Sequence, residues 1–336
     1  MEKYYITTPI YYVNDKPHIG HAYTTILADT ISRFRALVGE KPTFLTGLDE
    51  HGLKVQQAAE KNGKAPQDHC DSMAPAFIDL WKKLNINYSD FIRTTEHRHT
   101  KIVQQILTKV HESGDIYMDE YEGWYSISEE RFITEKELDS GQFGQVKQIK
   151  EKNYFFRMSK YQATLIDKIE KDELLIQPKS RKNEVLGFLK NELSDLCISR
   201  PKSRLEWGIE LPFDDNYVTY VWFDALINYI SAIGAYSNDE QFSSLWPADV
   251  HLIGKDILTT HSVYWPTMLL SLGLPLPQRI FAHGWWLTDD QKMSKSLGNV
   301  VSPLMLIDDF GVDSVRYYLM SEMVLGMDAT FSSESF

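Results

Sequence analysis

Cysteine is nearly absent from this sequence: there are two in 336 residues, Cys70 and Cys197, far apart and outside any C-x-x-C arrangement. That excludes a disulfide framework and a thiolate zinc site, and it fits a reducing compartment. Long apolar runs are missing as well, and no stretch is long enough to cross a bilayer. No apolar signal segment stands ahead of the strand-like opening, so a cytoplasmic protein with no membrane partner is expected. Positive charge is also in deficit. The formal net charge is −12, whereas proteins coated in nucleic acid usually carry a basic footprint. A local basic track remains compatible with that balance, because net charge does not say where charges sit. What is present is ordinary for a folded chain, with 43% apolar and 24% charged residues. The length allows one large domain with an insertion, or two smaller ones.

The run 4–12 is β-branched and aromatic and predicts a buried strand. After the turn at 14–17 the spacing becomes helical. Tyr23, Leu27, Ile31, Phe34 and Leu37 recur at helical spacing, and Gly39 closes the segment. Residues 41–48 return to strand and 53 onward to helix, an alternation that implies a parallel sheet with helices on its faces. Helical patterns cover 76–84, with Pro75 suited to the opening position, and 99–112, with a short strand at 91–93 between them. From 116 to about 209 the character shifts. Strand-like pieces at 121–127 and 154–158 and one helical stretch at 161–171 sit among charged, turn-rich segments. Strands are then expected at 218–223, 250–253 and 279–287, and a helix at 262–272. Ser302-Pro303 has the form of an N-cap followed by a first-position proline, and 313–322 reads as a further amphipathic helix. The expected division is therefore a Rossmann-like α/β sheet domain in two halves, 1–115 and 210–300, around an insertion at 116–209, with a helical region at 301–336.

Two short stretches carry chemistry. His18-Ile19-Gly20-His21 falls where the first strand hands over to the first helix, the carboxyl edge at which open parallel sheets bind nucleotides. Gly20 permits close approach to the backbone, and two imidazoles near a helix start can donate hydrogen bonds to an α-phosphate as charge builds on it. A pair of structural histidines fits H-x-G-H equally well; a zinc pair has no cysteine or carboxylate cluster nearby. Lys292-Met293-Ser294-Lys295-Ser296 follows a strand and precedes the capped helix. Two lysines spaced by small hydroxyl residues suit a clamp on β- and γ-phosphates, with Gly298 as hinge, although an isolated K-x-x-K is more often a solvated turn. The ordered pairing of the two stretches at opposite ends of an α/β chain favours the phosphate reading of both.

That pair resembles the signatures of class I aminoacyl-tRNA synthetases. Flanking stretches resemble the methionyl-tRNA synthetases in particular: residues 7–14, Gly47-Leu48-Asp49-Glu50-His51-Gly52, Val221-Trp222-Phe223-Asp224-Ala225 and 251–257. The resemblance covers essentially the whole chain. It implies a ligase that activates L-methionine with ATP to methionyl-adenylate and transfers it to tRNA(Met), with Mg2+ accompanying ATP and the enzyme acting as a monomer. Carried over by position, it implies a methionine pocket of Ile10, Tyr12, Asp49, Trp222, Ala225, Tyr229, Ile257 and His261. A thioether suits such soft, aromatic surroundings. Asp49 would meet the substrate ammonium, and Tyr229 or His261 could offer a polar hydrogen to sulfur. Taken alone, Trp222 and Tyr229 would read as plain core. The resemblance also implies ATP between His18, Gly20 and His21 on one side and Lys292 and Lys295 on the other, with Gly254 and Asp256 beside the ribose and adenine.

Two departures stand out. Many relatives carry a zinc knuckle of paired cysteines in the insertion, whereas here Ser126 and Glu129 stand in those positions, so no structural zinc is expected. The family also continues into a helical anticodon-reading domain, of which 301–336 would be only the stem-contact start. The last residues look like a helix opening with no helix behind it, as in a truncated chain. Rivals are a class I synthetase for another amino acid, a small nucleotidyltransferase, or a non-catalytic tRNA-binding fragment. A cysteine enzyme would want thiolate ligands, and the isoleucine, leucine and valine enzymes carry a larger editing insertion than 116–209 allows.

Overall fold

Strand β1 (Lys3–Tyr12) lies inside the main sheet of the computed structural model, which describes residues 2–126, 131–133, 138–139, 146–288, 291–293, 300–332, 334 and 336. Its alternating side chains enter two different cores. Tyr4 and Ile6 pack with helices α1 (Ile19–Leu37) and α3 (Pro66–Lys83), while Tyr5 packs on the other face with α4 (His97–Glu112). Burial on both faces explains why β1 is almost continuously apolar or aromatic rather than alternating.

The main sheet has six strands, all parallel. Their order is β3 (Asp90–Arg93), β2 (Lys41–Asp49), β1, Val250–Gly254, Arg279–His283 and Leu175–Gln177. The expected α/β class with a central parallel sheet is thus found. From β1 the chain first winds outward through β2 and β3, and later returns on the other side of β1. The reversal leaves a crevice beyond the carboxyl ends of β1 and Val250–Gly254, where open α/β sheets bind ligands. The stretch 116–209 contains an antiparallel ribbon in which β4 (Ile116–Ser126) pairs with Val146–Phe156. That same stretch also supplies Leu175–Gln177, the outermost strand of the main sheet, so it is not wholly separate from the sheet domain. Three residues are too short a run to carry a readable period.

Several local expectations are corrected. Pro75 does not open a helix: α3 begins at Pro66 and runs through Pro75. Burial of Ala74 and Phe77 on either side of it holds the helix together there. The piece expected as a strand at 218–223 divides into a strand, Asp214–Thr219, and a helix, Val221–Leu226. The strand expected at 279–287 breaks at Gly284, where an added Cβ would lie 2.0 Å from the Met327 carbonyl oxygen. Phe34 and Leu37, read as part of the buried stripe of α1, are 58% and 85% exposed, so the buried stripe does not extend through the last turns of that helix. Ser302 precedes a helix (Pro303–Phe310) as expected but makes no side-chain cap hydrogen bond. Among the described residues after Thr330, none is helical. Ala329–Thr330 instead pairs parallel with Trp286–Thr288. Of the stretch expected to replace the zinc knuckle, Glu129 lies outside the described residues.

Candidate active site

The crevice at the reversal point is a cavity of about 440 Å³. Every candidate residue whose side chain is described lines it. His18, Gly20 and His21 come from the start of α1; Ile10, Tyr12 and Asp49 from the ends of β1 and β2. Trp222, Ala225 and Tyr229 come from two consecutive short helices, Gly254 from the end of Val250–Gly254, and Asp256, Ile257 and His261 from the segment after it. Lys292 lies on a two-residue strand, Gln291–Lys292, antiparallel to Trp286–Thr288, and Met293 beside it lines the cavity. Lys295 lies outside the described residues.

Helix α1 starts on a reciprocal cap made by its two histidines. The His18 Nδ1 accepts from the Gly20 backbone N–H at 3.0 Å, and the His21 Nδ1 accepts from the His18 backbone N–H at 3.1 Å. An imidazole nitrogen that accepts carries no proton, so each ring, when neutral, holds its proton on Nε2. Burial, together with the neighbouring His18, pushes the His21 pKa well below its ordinary value, so His21 is neutral. The two rings stack with centroids 3.8 Å apart. A Cβ on Gly20 would stand 2.9 Å from the His18 Cε1, so glycine here makes room for the capping ring itself.

The other half of the cavity is apolar and aromatic around one carboxylate. Asp49, at the end of β2, is 3% exposed. Gly52, just beyond it, has φ +109°, and an added Cβ would meet the Tyr12 hydroxyl at 2.3 Å, so the β2–α2 link folds directly under Tyr12 (α2 being Leu53–Lys61). The His261 Nδ1 lies 2.9 Å from the Ile257 carbonyl oxygen, which can only accept, so Nδ1 carries the ring proton. Burial takes the His261 pKa down to about 4, leaving Nε2 bare, and the Tyr229 hydroxyl donates to it at 2.7 Å. The expectation that either ring holds a spare polar hydrogen for a thioether is thereby corrected: in this arrangement the Tyr229 proton is engaged by His261.

Several lining residues were not anticipated. His283, at the end of its strand, bonds the Thr24 hydroxyl of α1 at 2.8 Å through Nε2 and donates from Nδ1 to the Gly284 carbonyl at 2.7 Å. Trp285 donates to the Asp256 Oδ1 at 3.1 Å, and Lys255 sits 4.1 Å from the Trp285 ring centroid. A Cβ on Gly254 would come within 2.6 Å of the Asp256 carboxylate, so a larger residue there would displace that side chain. Asn228, beside Tyr229, is 1% exposed. The carboxyl-edge rule marks His283 and Trp285 in retrospect, since the first ends and the second follows a strand of the same sheet. Nothing in the local sequence marks Asn228. Among the described residues no group of three or more His, Cys, Asp or Glu is arranged to hold a metal ion.

Comparison with known proteins agrees with this geometry. The model of the tRNA synthetases class I (M) family matches residues 4–142 and 136–336. A methionine--tRNA ligase of Clostridium tetani is 52% identical over 99% of this chain and 53% of its own length. That of Halalkalibacterium halodurans is 49% identical over 99% of this chain and 53% of its own. The chain thus spans about half the length of the curated relatives it matches. A solved structure of Mycobacterium tuberculosis methionyl-tRNA synthetase in complex with methionyl-adenylate superposes with a TM-score of 0.95 at 43% identity, covering 100% of this chain and 67% of that one. On the fold, the cavity and these matches together, the chain belongs to the class I tRNA synthetases (M), the family of the methionine--tRNA ligases.

Proposed function

We propose that this chain activates methionine with ATP to form methionyl-adenylate and then charges tRNA(Met). The observation that carries the reading is the division of one cavity into two chemically different halves. One half is the N-terminus of α1 with its histidine cap; the other is a soft aromatic pocket with a single buried carboxylate, Asp49. The first suits a nucleotide α-phosphate, the second a zwitterionic amino acid with a thioether side chain. The relative whose structure holds methionyl-adenylate supports the same pairing of ligands.

In this reading Asp49 pairs with the substrate ammonium, and Trp222, Ile10, Ala225 and Ile257 enclose the side chain beside Tyr229 and His261. The methionine carboxylate attacks the α-phosphorus in line and pyrophosphate leaves. The Nε2–H groups of His18 and His21 bond the α-phosphate oxygens as their charge grows, helped by the positive end of α1. Lys292 and Lys295 neutralise the departing phosphates, and Asp256 and Gly254 meet the ribose and adenine. Magnesium fits as an ion held chiefly by the ATP phosphates, since magnesium commonly binds through phosphate oxygens with few protein ligands. A second groove, lined by Lys16, Lys54 and Lys61, shares Asn14 and Lys54 with the cavity, and it supports phosphate binding by an incoming acceptor end.

Amino-acid-dependent ATP–pyrophosphate exchange over a panel of amino acids tests the reading. Exchange stimulated by methionine alone is expected, and Lys295→Ala should cut it strongly while leaving the melting curve in place. Stimulation by a different amino acid, or no exchange in a folded sample, overturns it.

A further inference from the structure

Beneath the cavity lies a buried ionic network that the proposed chemistry does not use. Asp224 is fully buried, as is His99, and His51 is 6% exposed. The His51 Nδ1 donates to the Asp224 Oδ2 at 2.6 Å, and the His99 Nε2 donates to Oδ1 at 2.6 Å. The far nitrogen of His99 meets the Ser231 hydroxyl at 2.8 Å. Burial pushes the Asp224 carboxyl up, but the charge and hydrogen bond of His51, with those of His99, more than reverse this and hold it down to about 2. Among the described residues its ion-pair partners are these two histidines, with no lysine or arginine.

None of these side chains lines the cavity itself, but three of them, His51, Asp224 and Ser231, lie on segments whose neighbouring residues do. His51 belongs to the link between β2 and α2, two residues after Asp49. Asp224 lies on the helix Val221–Leu226, between Trp222 and Ala225, both of which line the cavity. Ser231 ends the helix Asn228–Ser231, which carries Tyr229, and His99 anchors the group to the first turn of α4. Apolar contacts would join these elements with comparable stability, since burying ions is costly. What directional bonds to one carboxylate add is a fixed angle and spacing between the elements.

We propose that Asp224, held between His51 and His99, is a positioning residue that sets the ring wall of Trp222, Ala225 and Tyr229 against the Asp49 wall, and so determines affinity for the amino acid but not for ATP. The inference rests on the reading above, in which this half of the cavity takes methionine.

The test is equilibrium dialysis of radiolabelled methionine, without ATP, against the unaltered chain and against Asp224→Asn, His99→Leu and His99→Gln, with ATP affinity and melting temperature measured alongside. Asp224→Asn and His99→Leu should weaken methionine binding about tenfold or more, because a hydrogen bond to a buried charge is lost. Affinity for ATP should stay within about twofold, since its phosphates meet other elements. His99→Gln keeps an N–H donor for Asp224 and should restore most of the methionine affinity. Methionine affinity unchanged in folded Asp224→Asn and His99→Leu overturns the role, as does a loss shared equally by methionine and ATP, or a His99→Gln no better than His99→Leu. Should Asp224→Asn fail to fold, the two His99 variants decide the matter. An unaltered chain that binds no methionine removes the functional reading itself, whereas binding indifferent to the network removes only the positioning role.

Discussion

Replacing Gly20 with alanine should leave the fold nearly as stable as before and remove most of the proposed adenylation activity. The new Cβ would stand 2.9 Å from the His18 Cε1 and 3.1 Å from its Nδ1. Those atoms belong to a side chain, so the ring can turn away instead of forcing the backbone apart. Turning away costs the bond from the Gly20 N–H at 3.0 Å and the 3.8 Å stacking on His21. Loss of an N-cap bond costs roughly 0.5–2 kcal/mol. Alanine in a helix regains roughly 0.5–1 kcal/mol over glycine, so the net loss of stability is at most about 1.5 kcal/mol. For a chain of this size the melting temperature should move by less than about 4 °C. The chemistry has no such compensation. Under the proposed function a donor to the α-phosphate is misplaced, and removal of one such donor typically lowers turnover by about 10²–10³-fold. Scanning calorimetry and ATP–pyrophosphate exchange at saturating methionine measure the two effects separately. Exchange within about threefold of the parent, where a lost donor should cost far more, would refute the reasoning. So would a large fall in melting temperature, because it would mean that Gly20 is needed for the fold and not for the cap.

Three further outcomes are expected. Asp29 is fully buried and accepts from Arg33 at 2.7 Å, Arg316 at 2.6 Å and the Asn87 backbone at 2.8 Å, so Asp29→Ala should destabilise by about 3–5 kcal/mol in denaturant unfolding, and a change under about 1 kcal/mol refutes the role. His251, His261 and His283 are buried and His21 is half-buried, and desolvation lowers the pKa of each, that of His261 to about 4. The unfolded chain takes up protons that the folded chain excludes. Stability should therefore be full above about pH 6.5 and fall progressively towards pH 4, and a melting temperature that holds level between pH 7 and 5 contradicts this. Metal analysis of the purified chain should find no stoichiometric, tightly bound zinc, because Ser126 and Glu129 occupy the positions where cysteines stand in zinc-bearing relatives.

Much of the frame was legible in advance because it depends on short-range patterns. The first strand, α1, β2 and α4 announced themselves through period and turn chemistry, and the H-x-G-H cap fell at the handover from strand to helix. Elements failed to read where packing overrides local preference. Pro75 looks like a helix opening, yet α3 runs through it; Val221 to Phe223 look like strand, yet they begin a helix whose Trp222 faces the cavity. Leu175–Gln177 gave no sign of being an edge strand, since three residues become a strand only when Arg279–His283 offers its open edge.

The site divides in the same way. The amino-acid sequence by itself determined the histidine cap that the proposed function directs at phosphate, because His18, Gly20 and His21 lie within one helical turn and their geometry is local. It also put a carboxylate, Asp49, at a strand end. Only the tertiary structure brought Asp49 to Trp222 and Tyr229, engaged the Tyr229 proton on His261, and set His51 and His99 on either side of Asp224. These partners lie more than a hundred residues apart in several cases, as with His51 and Asp224. Their meeting is decided by sheet order and by which faces the helices bury, and no periodicity along the chain records that.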